Sequence, residues 1–239
     1  MLTERQKKIL EYIINEYTVT KKPIGSKEFC QKYFKDLSSA TIRREFNFFT
    51  VNKYLTQPYW SAGRLPTDKA YQWFIKENLL NREKNEDELD RWVKKLDDWK
   101  KLSFEEIAKK ISQLCESLTI GYLLNDQLIY RYGLKKFFEQ LEEMELQNWE
   151  SVWEDVDLLD ERLKKRIDDL IEEPFQIFIG KESPITRDEN LSVISYTVFD
   201  DEKQNLLILI GPKNIICEKN LNILQTAYNI LNGSNLSKK

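Results

Sequence analysis

Three short segments with a helical apolar period open the chain, and turn residues separate them. The first follows Thr3-Glu4-Arg5-Gln6, a capping box in which the Thr3 side chain accepts from the Gln6 backbone and the Gln6 side chain reaches back. Beyond it Ile9, Ile13, Ile14 and Tyr17 share one face, the spacing of a helix with one buried stripe. Pro23 and Gly25 break the pattern. Ser26 then caps a short helix through Tyr33, and Ser38 or Ser39 caps a third. In that third helix Ile42, Phe46 and Phe49 stand at i, i+4 and i+7 and point into a core, while Thr41, Arg43, Arg44 and Asn47 are left on the other faces.

A short helix, a turn, and a helix that begins with polar and basic residues form a helix-turn-helix arrangement, whose second helix reaches base edges in the major groove. Arginine pairs bidentately with guanine and asparagine with adenine. The plainer reading is a three-helix domain whose arginines are only solvated. From Tyr54 to Thr67 two short extended stretches flank Ser61-Ala62-Gly63. Gly63 is expected to take the positive φ of a tight turn. Arg64, at the tip of this wing, is placed to enter a minor groove or hold a phosphate. Trp60 is expected to pack the wing onto the body rather than stack on DNA. Thr67 or Asp68 caps a helix carrying Tyr71, Phe74 and Ile75.

Charge follows the same division. Up to Arg82 there are 15 Lys and Arg against 8 Asp and Glu, a net of +7, and the remainder has 22 against 32, a net of -10. A basic head on an acidic body is the footprint of a nucleic-acid-binding protein. The absence of histidine removes His-dependent triads, His bases and His metal ligands. Cys30, Cys115 and Cys217 are far apart and form no CxxC pair. No GxGxxG and no P-loop occur. The longest aliphatic run, Leu206 to Ile210, is far shorter than the roughly 20 residues of a membrane span. The expectation is a soluble cytoplasmic protein with no enzymatic site, no cofactor, no metal and no membrane partner.

Between Lys76 and Lys101, 16 of 26 residues are charged, yet Leu89, Trp92, Val93, Leu96 and Trp99 keep a helical stripe. This reads as a charged helical connector packed on the body or on a second subunit. Ser103-Phe104-Glu105-Glu106 is a second capping box, and the helix after it is expected to bury Phe104, Ile107, Ala108, Ile111, Leu114 and Leu118. Cys115 beside that stripe reads as a small core residue. Strands are expected at 119–124, 127–132, 175–179, 191–199 and 206–210, and helices at 134–146 and 153–171. The last two strands pair as a hairpin through the polar loop 200–205. A final helix ends at Asn232-Gly233, and residues 234–239 form a disordered tail. Asp155, Asp157, Asp160 and Glu161 read as the solvated face of a helix.

Four runs carry a family resemblance: Leu2-Thr3-Glu4-Arg5-Gln6, Pro23-Ile24-Gly25-Ser26-Lys27, Ser39-Ala40-Thr41-Ile42-Arg43, and Ser61-Ala62-Gly63-Arg64-Leu65-Pro66-Thr67-Asp68-Lys69. In order and spacing they closely resemble HrcA, the bacterial heat-inducible transcription repressors. Leu128-Ile129-Tyr130 before Gly133, Ile179-Gly180-Lys181-Glu182, Leu191-Ser192-Val193 and Ile210-Gly211-Pro212 are similar to the later part of that family, more weakly.

The resemblance implies an α+β chain with an N-terminal winged helix-turn-helix domain and a reduced GAF-like α+β domain. The expected organisation is a DNA-binding head at 1–75, the connector at 76–102, a GAF-like sensor and dimerisation body at 103–233, and the tail. The resemblance further implies binding of an inverted-repeat operator upstream of chaperone genes by a homodimer, with the GroE chaperonin as a partner. Carried over by position, Ser39, Thr41, Arg43, Arg44 and Asn47 read bases, Ser26 and Lys27 support the backbone contact, Ser61, Gly63 and Arg64 form the wing contact, and Lys69 holds a phosphate. Arg44 stands where the family usually has asparagine, and Tyr59-Trp60 where a His-Thr or similar pair is common. The chain is shorter than usual members, and the shortfall falls in the middle. A rival of another class is a protein-interaction module with a winged-helix head, on which exposed Trp92 and Trp99 mark the partner surface.

Overall fold

The computed structural model describes residues 2–80, 99, 101–144, 149–200 and 203–236. The fold is mixed α and β. The chain divides into two compact units, residues 1–83 with 216–218 and residues 84–215 with 219–239. Among the described residues no helix is long and apolar enough to cross a membrane.

The first unit begins with α1 (Glu4–Thr20), α2 (Ser26–Tyr33) and α3 (Ser39–Val51). A two-stranded antiparallel hairpin follows, β1 (Leu55–Thr56) and β2 (Leu65–Pro66), and then α4 (Asp68–Leu80). The Thr3 capping box forms as its spacing requires, with Gln6 N–H donating to Thr3 Oγ1 at 3.3 Å and Thr3 N–H to Gln6 Oε1 at 3.0 Å. Ser38, not Ser39, caps α3. The cap of α2 is Gly25, which makes no side-chain bond, so Ser26 is the first helical residue rather than the cap.

The predicted stripes are the core: Ile9, Ile13, Ile14, Ile42, Phe46 and Phe49 are all buried. At about 1.5–3 kcal/mol for each large apolar side chain, these contacts hold helices too short to persist alone. Rings join α1, α2 and α3: Tyr12 stacks on Tyr33 at 4.8 Å, and Phe29 meets Phe46 at 5.5 Å. Polar contacts add direction. Glu16 of α1 accepts from Lys32 at 2.7 Å and from the Tyr33 hydroxyl, both on α2. Glu45 of α3, itself buried, accepts from Arg5 at 2.6 Å and Gln6 at 3.0 Å.

The second unit contains α5 (Phe104–Cys115), β3 (Leu118–Leu123), β4 (Leu128–Tyr132), α6 (Leu134–Glu142), α7 (Glu150–Asp157), α8 (Leu159–Lys165), α9 (Ile167–Ile171), β5 (Phe175–Ile179), β6 (Leu191–Asp200), β7 (Lys203–Pro212) and, apart from its first residue, α10 (Glu218–Leu236). The strands form one antiparallel sheet of order β4-β3-β7-β6-β5. Its middle strand is β7, which explains the aliphatic run Leu206 to Ile210: all five side chains are buried. Leu206, Ile208 and Ile210 join Leu118, Ile120 and Val193 in one core with Phe137, Val152, Leu163 and Leu170 of the helices α6 to α9. On the opposite face Gly121 lies under α5, where a Cβ would stand 3.1 Å from the Phe104 ring and 3.2 Å from Ala108. Tyr196 on that face meets Tyr228 of α10 at 5.9 Å.

Several boundaries differ from expectation. The single helix expected over 153–171 is three short helices. The β6–β7 pairing runs from Leu191↔Pro212 to Asp200↔Lys203, so the ladder continues through most of the loop expected at 200–205. The last helix continues past Asn232-Gly233 to Leu236. In the expected connector, Leu89, Trp92, Val93 and Leu96 lie outside the described residues. Trp99 is buried, with its ring beneath Lys110, so it marks no partner surface.

Asp155 also departs from its solvated reading. It is 2% exposed, accepts from the Arg187 N–H at 2.8 Å and the Asp188 N–H at 2.9 Å, and is ion-paired with Arg162. It pins the segment ahead of β6 to α7 and α8. Asp155→Ala leaves those donors and Arg162 without their acceptor and is expected to cost about 3 kcal/mol, read from urea unfolding. Glu16 gives a pH test. Burial pushes its carboxyl up, but the Lys32 and Tyr33 hydrogen bonds outweigh this and hold it below the ordinary 4.5. A lowered folded-state value means stabilisation that is present above the unfolded value and lost as pH falls through the folded one. Thermal unfolding of the chain should show a loss of stability below about pH 4.5 that Glu16→Gln reduces.

Candidate nucleic-acid interface

In α3, residues four apart share a face, so Arg43 and Asn47 line up while Arg44 points elsewhere. Both are exposed. They form one wall of a groove of about 760 Å³. The start of α2 supplies Ser26 and Lys27, and the hairpin loop supplies Gln57, Trp60, Ser61, Gly63 and Arg64. Seven of the eleven sequence-predicted residues therefore meet in one place: Ser26, Lys27, Arg43, Asn47, Ser61, Gly63 and Arg64. Lys27 and Arg43 make no ion pair with any described residue, unlike Arg5, Lys7 and Lys32.

The other four lie outside this groove. Ser39 and Arg44 are exposed on α3. Thr41 belongs to the cap, its backbone N–H donating to Ser38 Oγ at 3.0 Å and its hydroxyl 2.9 Å from the same oxygen. Lys69 is engaged within the chain: its ammonium donates to the Asn52 carbonyl at 2.9 Å and sits 4.5 Å from the centre of the Tyr54 ring. A cation at the carbonyl end of α3 is favoured by the helix dipole.

The hairpin loop is built differently from its sequence reading. The turn is Tyr59–Ala62, closed by the Ala62 N–H donating to the Tyr59 carbonyl at 3.0 Å. Its positive φ, 71°, belongs to Ser61 and not to Gly63. Gly63 is needed for a different reason: a Cβ there would lie 2.6 Å from three backbone atoms of Ile24. This contact accompanies a two-bond bridge, Ile24 N–H to Arg64 carbonyl and Arg64 N–H to Ile24 carbonyl, each 2.9 Å.

Arg64 is half-buried and turned inward. Its Nε donates to Thr50 Oγ1 at 3.1 Å and its Nη1 to the Ala62 carbonyl at 3.3 Å. Gln57 donates to the same carbonyl at 3.0 Å. Arg64 thus braces the loop rather than occupying its tip. The tip is Trp60, 94% exposed, beside Tyr59 at 67%, so Trp60 does not pack the hairpin onto the body. Gln57 and Thr50 are not legible in the sequence, since a polar residue at a loop start or a helix end carries no distinguishing signal. The exposed ring of Trp60 has a sequence signal in the Pro58-Tyr59-Trp60 run that enters the turn.

The family model described as "HrcA protein C terminal domain" matches residues 72–216, more than half of the chain. The chain belongs to the HrcA family. Curated HrcA relatives bear the name heat-inducible transcription repressor. That of Thermoanaerobacter sp. (strain X514) is 38% identical over 118 residues, 49% of this chain and 34% of the relative. That of Mycoplasmoides gallisepticum is 51% identical over 74 residues, 30% of this chain and 21% of the relative. The chain thus matches about a third or less of these HrcA proteins' own length. A solved structure described as a hypothetical protein at 2.2 Å resolution superposes with TM-score 0.70 at 18% identity, over 98% of this chain and 97% of that one. It shares the fold.

Gly63→Ala forces the hairpin away from Ile24, because the clash is with backbone that has no rotamer to change. The expected cost is about 1–3 kcal/mol, seen as a lower urea midpoint. An unchanged midpoint would mean the close approach is dispensable.

Proposed function

We propose that this HrcA-family chain is a sequence-specific DNA-binding transcriptional repressor of heat-shock chaperone genes. The groove that gathers Ser26, Lys27, Arg43 and Asn47 beside the hairpin loop is the observation that carries this reading. In it, the first unit is a winged helix-turn-helix, α3 lies in the major groove and the hairpin is the wing. The second unit is a reduced GAF-like body. Arg43 pairs with guanine and Asn47 with adenine, the two bidentate geometries open to those side chains. Lys27, and the Ser26 hydroxyl at the start of α2, hold phosphate and set the register without reading sequence. Arg64 and Lys69 act behind the surface, the first bracing the wing and the second holding the end of α3.

The operator is an inverted repeat bound by a homodimer, because two-fold symmetry in the protein matches two-fold symmetry in the site. The names of the relatives support the repressor role, and the resemblance of the four N-terminal runs supports the chaperone-gene operator and a link to the GroE chaperonin.

Quantitative binding to operator and scrambled duplexes across a salt series tests the assignment. Arg43→Ala is expected to lose about 1–3 kcal/mol on the operator and to relax specificity at one position. Lys27→Ala is expected to weaken binding to all sequences alike and to reduce the salt slope by about one. Equal losses on operator and scrambled DNA for Arg43→Ala would remove that residue from base reading. Equal affinity of the unaltered chain for both duplexes would remove sequence-specific repression.

A further inference from the structure

Trp60 is the most exposed of the large hydrophobic side chains among the described residues. Aromatic side chains usually bury about 150–250 Å², and this one is 94% exposed in a chain whose other apolar rings are mostly covered. Its exposure is not that of a loose loop. The Tyr59–Ala62 turn is closed by a backbone hydrogen bond, and Gln57 and Arg64 both donate to the Ala62 carbonyl. Thr50 holds Arg64 from behind, and Gly63 is pressed on the Ile24 backbone. The turn holds the indole out, and the preceding Tyr59 is 67% exposed. Trp60 is also one of the residues around the groove that contains Lys27, Arg43 and Asn47, so the ring stands close to a surface suited to a polyanion.

We propose that Trp60 is an aromatic wedge that enters the minor groove next to the major groove read by α3, partly unstacking one base step there. This rests on the DNA-binding reading above and deepens it by adding a specificity element. An apolar side chain between bases bends the duplex, and the cost of that bend depends on the sequence deformed. Pyrimidine–purine steps unstack most readily. The wedge therefore selects a flexible step at the wing position without hydrogen-bonding to any base. Lys27 and Arg43 line the same groove and make no ion pair with any described residue, and this charge favours a polyanion such as DNA over a protein partner.

The full chain is used to select from a random-sequence duplex pool, alongside Trp60→Ala and Trp60→Phe. Affinity for the selected duplex is read by anisotropy of a dye on the DNA, and bending by energy transfer between dyes at its two ends. The wild-type chain should enrich a pyrimidine–purine step beside the bases facing α3. Trp60→Ala should enrich those facing bases but not the step, bind the selected duplex about tenfold more weakly, and bend it less. Trp60→Phe should keep most of all three properties. The thermal midpoint should not change, since the side chain is exposed.

An unchanged motif, affinity and bend in Trp60→Ala overturns the wedge alone and leaves the ring to a non-DNA partner. Equal losses on selected and scrambled duplexes also overturn it, because they describe stacking without step selection. Failure of the wild-type chain to enrich any sequence overturns the DNA-reading head itself, and the wedge with it.

Discussion

Two backbone hydrogen bonds, between Ile24 and Arg64 in both directions, join the segment ahead of α2 to the returning limb of the hairpin. The groove depends on them. They bring Ser26 and Lys27 to within one surface of Ser61 and Trp60, residues more than thirty positions later. The bond pair needs two backbones at close range, and only a residue without a Cβ fits at position 63. Arg64 then serves twice, its backbone in the bridge and its guanidinium on Thr50 and Ala62. A loop with two-residue strands has little ladder of its own, so these side-chain bonds supply the order that a longer hairpin would get from pairing.

The helices behind the groove are oriented by a second kind of contact. Burial sets the distance between α1, α2 and α3 but, being non-directional, does not set their rotation. Glu16 on Lys32 and Tyr33, and Glu45 on Arg5 and Gln6, supply that direction. Lys69 closes the far end of α3 on the Asn52 carbonyl. Arg43 and Asn47 are thus presented by a helix fixed at its flank and at its end, which is the preorganisation that base reading needs.

The second unit has a different logic. Its sheet is covered by helices on both faces, so the central strand β7 has no solvent face and no period of two. The buried carboxylate of Asp155 holds the loop into β6 with backbone donors, a role that charge patterning cannot reveal. An acidic residue amid other acidic residues looks solvated until the folded chain places two N–H groups and an arginine against it.

Local rules of short range were legible in the sequence. The Thr3 and Ser103 capping boxes and the stripes of α1 and α3 depend on spacing within one element, the pairing of the last two strands on two neighbouring patterns, and the basic balance of the head on composition, all of which are written in the sequence. The four runs that resemble HrcA likewise contain most of the groove residues. Only the tertiary structure decided which of them face the same space. Arg43 and Arg44 are neighbours in sequence, yet helical rotation puts one on the groove and the other off it. Arg64 and Lys69 looked like free cations, but acceptors seventeen or fewer residues earlier in the chain, Thr50 and the Asn52 carbonyl, take up their donors. Gly63 looked like a turn residue and is a contact residue, because its constraint comes from Ile24, nearly forty positions away. Large rings usually are buried, which makes packing the sequence expectation for Trp60. A sequence records that a residue is apolar but not whether anything lies within reach to cover it, and here the braced turn holds it out.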